Sequence, residues 1–177
     1  VRIGETYRRE GQFTNAMDFY QRAEQIVADL PGQLFLRGAI ANNQAHVLTA
    51  NGDLRGAERQ YANALAWMTK ATNTDPIAVA SVLSSLGVAH LALGRVREAE
   101  AEQLRALSLI SNVPPHVPTR AMVENNLASV YRQQGRTREA IAIYESSIAG
   151  VASQRAPDDL EVLTMRRNLA LALSRQA

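Results

Sequence analysis

Three histidines (His46, His90, His116), the adjacent Asp158 and Asp159, and the single tryptophan Trp67 are the residues best equipped for catalysis or ligand stacking. General acid–base work or metal binding needs such groups to converge within a few ångströms. The histidines are dispersed along the chain, and no HExxH, G-x-S-x-G or phosphate-loop pattern accompanies them. Asp158 stands three residues before Glu161, the spacing of a helix capping box, which accounts for the acidic pair without catalysis. Trp67 falls on an apolar stripe at helical spacing and is expected in a core. No metal site, cofactor or enzymatic activity is expected. What remains is binding chemistry. Asparagines 43, 125, 126 and 168 each offer an amide donor and acceptor, and arginines 8, 9, 132, 167 and 175 offer planar forks that match carboxylates.

Those residues are positioned by a repeat. Glycines 11, 52, 94 and 135 recur at intervals of 41, 42 and 41 residues. Five residues after each is an alanine (Ala16, Ala57, Ala99, Ala140), and nine after stand Tyr20, Tyr61, Gln103 and Tyr144. Seven before each is a small residue: Gly4, Ala45, Gly87, Ala128. A fixed period of this length marks stacked units that share their core with neighbours. Between the glycines, apolar residues recur every three or four positions, the period of an α-helix. Tight turns at the glycines alternate with proline-marked connections at Pro31-Gly32, Asn73–Pro76, Pro114–Pro118 and Ala156–Asp159. Nine helices are predicted, over 1–10, 12–29, 34–50, 53–70, 76–92, 95–111, 118–133, 137–153 and 159–175. Grouped in pairs they form one array, with repeats at 1–32, 33–74, 75–116 and 117–156 and a partial or capping helix over 157–177.

Composition agrees with that reading. Hydrophobic residues make up 46% and charged residues 20%, which excludes a wholly disordered chain. Aromatics are 5%, and abundant alanine suits close helix contact better than a sheet. The absence of cysteine removes disulfides and thiolate chemistry, and with it goes an expectation of a cytoplasmic setting. Net charge is +2, carried by 18 arginines and one lysine scattered along the chain, so a nucleic-acid partner is not expected. No apolar run approaches the ~20 residues of a membrane span.

The offsets resemble those of the tetratricopeptide repeat, a helix–turn–helix unit, over essentially the whole chain. That unit usually has 34 residues. The longer period here is similar to the kinesin-light-chain type, as are the phrases Val123-Glu124-Asn125-Asn126-Leu127-Ala128 and Arg167-Asn168-Leu169-Ala170. His90 departs from Tyr7 and Tyr131, Gln103 from the second-helix tyrosine, and Gln44 from Ile3, Leu86 and Leu127. The resemblance implies an all-α, right-handed superhelical solenoid whose first helices line a concave groove that holds an extended peptide. It places Asn43, His46, Val88, Leu91, Asn125, Asn126, Arg132, Arg167, Asn168 and Arg175 on that groove.

Asn43 and Asn126, nine before their turn glycines, and Asn168 at the matching place in the last helix either grip a peptide backbone, tie neighbouring helices together or merely face water. The arginines favour an acidic partner, and Val88 with Leu91 a hydrophobic anchor. The expected function is a protein- or peptide-binding scaffold. Two rivals are a regulatory sensor segment of a larger signalling protein and a self-assembly module that stacks through its ends.

Overall fold

The computed structural model describes residues 2–152 and 159–174. Among them are nine helices and no strand: α1 (Arg2–Arg9), α2 (Phe13–Ala28), α3 (Leu34–Ala50), α4 (Leu54–Lys70), α5 (Pro76–Ala92), α6 (Val96–Leu109), α7 (Pro118–Gln133), α8 (Thr137–Ala152) and α9 (Leu160–Leu173). The expected bounds coincide with these for α3, α5 and α7 and elsewhere differ by at most two residues, mostly where a turn is counted into a helix. The Asp158–Glu161 capping box and Arg175 involve side chains outside the described residues.

Local chemistry explains the helix ends. Gly11, Gly52, Gly94 and Gly135 all have φ between 73° and 83°, a left-handed conformation that closes the turn after each first helix without strain on a side chain. Asp53 caps α4 by accepting from the Gly56 amide at 2.8 Å. Asp75 caps α5 by accepting from Ile77 N at 2.9 Å, and Pro76 occupies the first helical turn, where it loses no hydrogen bond. The Thr74 hydroxyl donates to Met68 O at 2.6 Å and so ties off the end of α4.

Helices pack in sequence order, and the first helices of successive repeats also touch: α5 meets α7, and α7 meets α9. The core is accordingly shared along the stack. One apolar cluster runs from Ala41 and Ala45 of α3 through α4 and α5 to Ala106 of α6 and Val123 of α7. Ala16, Ala57, Ala99 and Ala140 are all fully buried, as are Tyr20 and Tyr144. Small residues there let backbones approach closely, so each repeat buries the face that its neighbour cannot bury alone.

Trp67 is a correction to the sequence reading. It is half-buried at the surface rather than in the core, with the Arg37 guanidinium 3.9 Å from its ring centroid. The alternation of apolar positions brings it to the edge of the stripe, where a cation–π contact covers it instead of packing. His90 does fill a buried aromatic position, at 8% exposure, with its Nε2 3.6 Å from Glu58.

Candidate functional site

Apart from Arg175, which lies outside the described residues, the candidate residues lie on α3, α5, α7 and α9, the first helices of their repeats. Their side chains follow the repeat. Nine positions before the turn glycine, Asn126 donates from Nδ2 to Ser84 Oγ of the preceding first helix at 2.9 Å. Asn168, its counterpart in α9, donates to Asn125 Oδ1 at 3.0 Å. Ser84 and Asn125 both stand ten before their own glycines, so one geometry links successive first helices twice. At the third link Ser85 replaces the asparagine, its shorter side chain donates within α5 to Ser81 O at 3.1 Å, and Asn42 Oδ1 is left buried without a partner. Asn43 has no hydrogen-bond partner among the described residues. Of the asparagines predicted to face a ligand, Asn125, Asn126 and Asn168 therefore have amide groups engaged between helices, and Asn43 keeps its own.

Six before the glycine the pattern is a bond within the repeat. His46 Nδ1 lies 3.0 Å from the Tyr61 hydroxyl, with the rings edge to face at 5.5 Å. Ser129 Oγ lies 2.9 Å from the Tyr144 hydroxyl. In the third repeat the tyrosine is Gln103. Its amide turns inward, donating to Ser84 O at 3.0 Å and accepting from Ser84 Oγ at 2.8 Å. Val88, opposite, has no polar partner to meet and stays 39% exposed beside half-buried Leu91. The substitution that weakens the repeat pattern in sequence thus opens an apolar spot midway along the wall.

Electrostatics divide the wall. At its amino-terminal end Glu5 accepts from Arg8 at 2.7 Å and from Arg9 at 3.1 Å, and the Arg8 bond holds its carboxyl below the usual range. Burial lowers the His46 pKa; Arg8 adds to this and Glu5 opposes it. Further along, Arg132 and Arg167 have no acidic partner among the described residues, and Arg132 Nε is buried without a hydrogen bond. Elsewhere three guanidinium groups are matched: the exposed Arg95 to Glu58 at 2.5 Å, and the half-buried Arg120 to Glu124 at 2.8 Å and Arg136 to Glu100 at 2.7 Å.

Two of those pairs were not anticipated from sequence. Arg95 and Arg136 directly follow turn glycines, and Glu58 and Glu100 stand six after the preceding ones, so each clasp joins one repeat to the next. The signal was present but covers two junctions only, because the first junction offers Asp53 and Met17. Among the described residues no cluster of three histidine, cysteine or carboxylate groups forms a metal site, and no helix is long and apolar enough to cross a membrane.

Comparison with known proteins agrees with this architecture. A tetratricopeptide-repeat family model matches residues 36–112 and 119–177, and a second matches 1–33. No curated protein matches the sequence significantly. Among solved structures, the Q17M form of a putative kinesin light chain from Podosopora anserina, with nearly identical repeats, superposes with a TM-score of 0.80 at 21% identity, covering 99% of this chain and 84% of that one. BtubC (BKLC) from P. vanneervenii gives 0.83 at 20% identity, over 98% of this chain and 70% of that one. The Cut9–Hcn1 hetero-tetramer of APC/C gives 0.74 at 20%, over 97% of this chain and 28% of that one. Repeats of this kind are protein-binding scaffolds and generally non-enzymatic, and the chain belongs to the tetratricopeptide-repeat family.

Proposed function

We propose that the wall of first helices is a concave groove that holds an extended partner segment bearing an acidic residue and a hydrophobic anchor. The observation that carries this is the contrast in charge pairing. Arg132, half-buried with its Nε unbonded, and the exposed Arg167 have no acidic partner among the described residues, while Arg95, Arg120 and Arg136 are paired within the fold. A half-buried guanidinium with an unused donor favours a carboxylate from outside. Leu91 occupies in the third repeat the position that Arg132 occupies in the fourth, and Val88 lies one turn before it. The anchor and the acid therefore sit about one repeat apart along the ligand.

Asn43 and His46 flank the groove in the second repeat. Asn125, Asn126 and Asn168 contribute chiefly by holding α5, α7 and α9 at the right spacing; Arg175 is a further basic residue of this proposal. A cytoplasmic setting is part of the same reading, in keeping with a chain without cysteine. Panning a random-peptide library against the protein and against a Val88→Asp/Arg132→Glu variant tests it. Enrichment of acidic peptides by the parent alone supports the groove; identical selections by both would refute it.

A second reading, self-assembly, draws on α9. Leu163 is 46% exposed, and Ala170 is exposed. Their counterparts Ala121 and Ala128 of α7 are buried under α8. Light scattering over a concentration series tests this reading: growth in mass supports it, and a constant monomer mass eliminates it.

A further inference from the structure

In two repeats the residue six before the turn glycine meets the tyrosine hydroxyl nine after it: His46 with Tyr61 at 3.0 Å and Ser129 with Tyr144 at 2.9 Å. The first repeat carries Glu5 and Tyr20 at these two positions. A carboxylate can accept from a phenol, yet the bond is not made. Tyr20 is fully buried, and its hydroxyl has no hydrogen-bond partner among the described residues. The ring is tightly placed, because a Cβ on Gly4 would lie 2.7 Å from its Cε1 and Cζ. The carbon that bears the hydroxyl therefore rests against the α1 backbone beside Glu5.

Glu5 is engaged elsewhere. Its two oxygens fill the fork of Arg8, accepting from Nε at 3.1 Å and Nη2 at 2.7 Å, and one also accepts from Arg9 Nε at 3.1 Å. Arg8 stands three before its glycine, the position that Arg132 holds in the fourth repeat. Arg132 has no acidic partner among the described residues, whereas Arg8 is satisfied from one turn away on its own helix. Burial raises the Tyr20 pKa; Glu5 adds to this and Arg8 opposes it, so both charges act on a hydroxyl that keeps its proton. Leaving that hydroxyl unbonded carries a desolvation cost, which a charged acceptor would remove.

We infer that Glu5 has two seats, and that on Arg8 it stands in for a side-chain carboxylate of the partner. When that carboxylate takes the Arg8 fork, Glu5 turns to accept from the Tyr20 hydroxyl and keeps Arg9. The exchange leaves no group stranded. Arg8 retains a bidentate acid, and the first repeat gains the bond that the second and fourth already have. This inference rests on the groove proposed above and adds a second acid site at its amino-terminal end, guarded by the chain's own carboxylate. Tyr20 is a positioning residue, buried too deeply to touch the partner.

Thermal melts test the second seat without any ligand. Tyr20→Phe should not lower the parent's melting temperature, because the hydroxyl it removes is unbonded. In Arg8→Ala/Arg9→Ala, where Glu5 is released to Tyr20, the same change should lower it by roughly 2–4 °C. An equal shift in both backgrounds would overturn the inference, whatever the groove does. Binding is read by anisotropy with a fluorescein-labelled, carboxy-amidated peptide of about twenty glutamates, long enough at ~3.3 Å per residue to reach along the wall. Glu5→Gln should tighten it about threefold or more beyond Glu10→Gln, which removes the same charge from the same end. Tyr20→Phe should weaken it by a similar factor in the parent and not at all in Glu5→Gln. Sensitivity to Arg132→Ala with none to Glu5→Gln or Tyr20→Phe would overturn the inference and leave the groove standing. Indifference to Arg8→Ala and Arg132→Ala alike, or no binding at all, would remove both.

Discussion

Replacing Ser85 by asparagine should stabilise the protein, although Ser85 sits on a half-exposed helix face and the change adds bulk. The geometry comes from the repeat. Asn168 donates to Asn125 Oδ1 at 3.0 Å, and Ser85 stands to Asn42 as Asn168 stands to Asn125. Asn42 Oδ1 is buried with no donor, so the native protein carries the desolvation cost of that carbonyl, about 1–3 kcal/mol. An asparagine amide at 85 would supply the donor. Against this stand the loss of the Ser85 bond to Ser81 O, a local bond that adds little to a helix, and of its contact with the Tyr61 hydroxyl. The net gain should be about 1 kcal/mol, the usual worth of a buried hydrogen bond. For a chain of this size that raises the melting temperature by roughly 2–4 °C. Calorimetry on the parent, Ser85→Asn, Asn42→Ala and the double variant closes a thermodynamic cycle. A coupling energy near zero between positions 85 and 42 would refute the reasoning, whatever the single variants do.

Other perturbations follow from the same contacts. Gly87→Ala places a Cβ 2.5 Å from Gln103 Nε2 and 3.2 Å from Ala99 O; the Gln103–Ser84 pair must shift, and a loss of about 1–3 kcal/mol, beyond alanine's helix propensity, is expected in urea denaturation. Ala99→Leu overpacks a fully buried contact between α5 and α6 by a similar amount, and an unchanged melt would mean that the repeat register is wrong. His46 has a lowered folded pKa, so the unfolded chain binds more protons. Its contribution is complete above the ordinary histidine value of 6.5 and is lost as pH falls below it. Stability measured between pH 7 and 5 should decline in the parent and flatten in His46→Gln. Glu5, Glu100 and Glu139 are also lowered, but they act only below the ordinary carboxylate value of 4.5.

The helices were legible because Ala16, Ala57, Ala99 and Ala140 repeat at one offset from glycines that must adopt positive φ. Such constraints are local and recur in every unit. The site was legible only as positions. Asn126 and Asn168 were visible as a row, but whether an amide meets a ligand or the next helix depends on inter-helix spacing, which composition does not encode. Gln103 looked like a simple lapse from tyrosine. Its inward turn toward Ser84, and the exposure of Val88 that follows, required both helices in place. The clasps from Arg95 to Glu58 and from Arg136 to Glu100 were obscured because only two of the three junctions carry them.

The groove is tested most directly by titration calorimetry with one acidic peptide recovered by panning. Arg132→Ala on the wall should weaken it at least tenfold, while Leu109→Trp at the exposed end of α6 leaves it unchanged. Unaltered affinity in Arg132→Ala, or a loss confined to Leu109→Trp, would contradict the placement of the partner on the first helices.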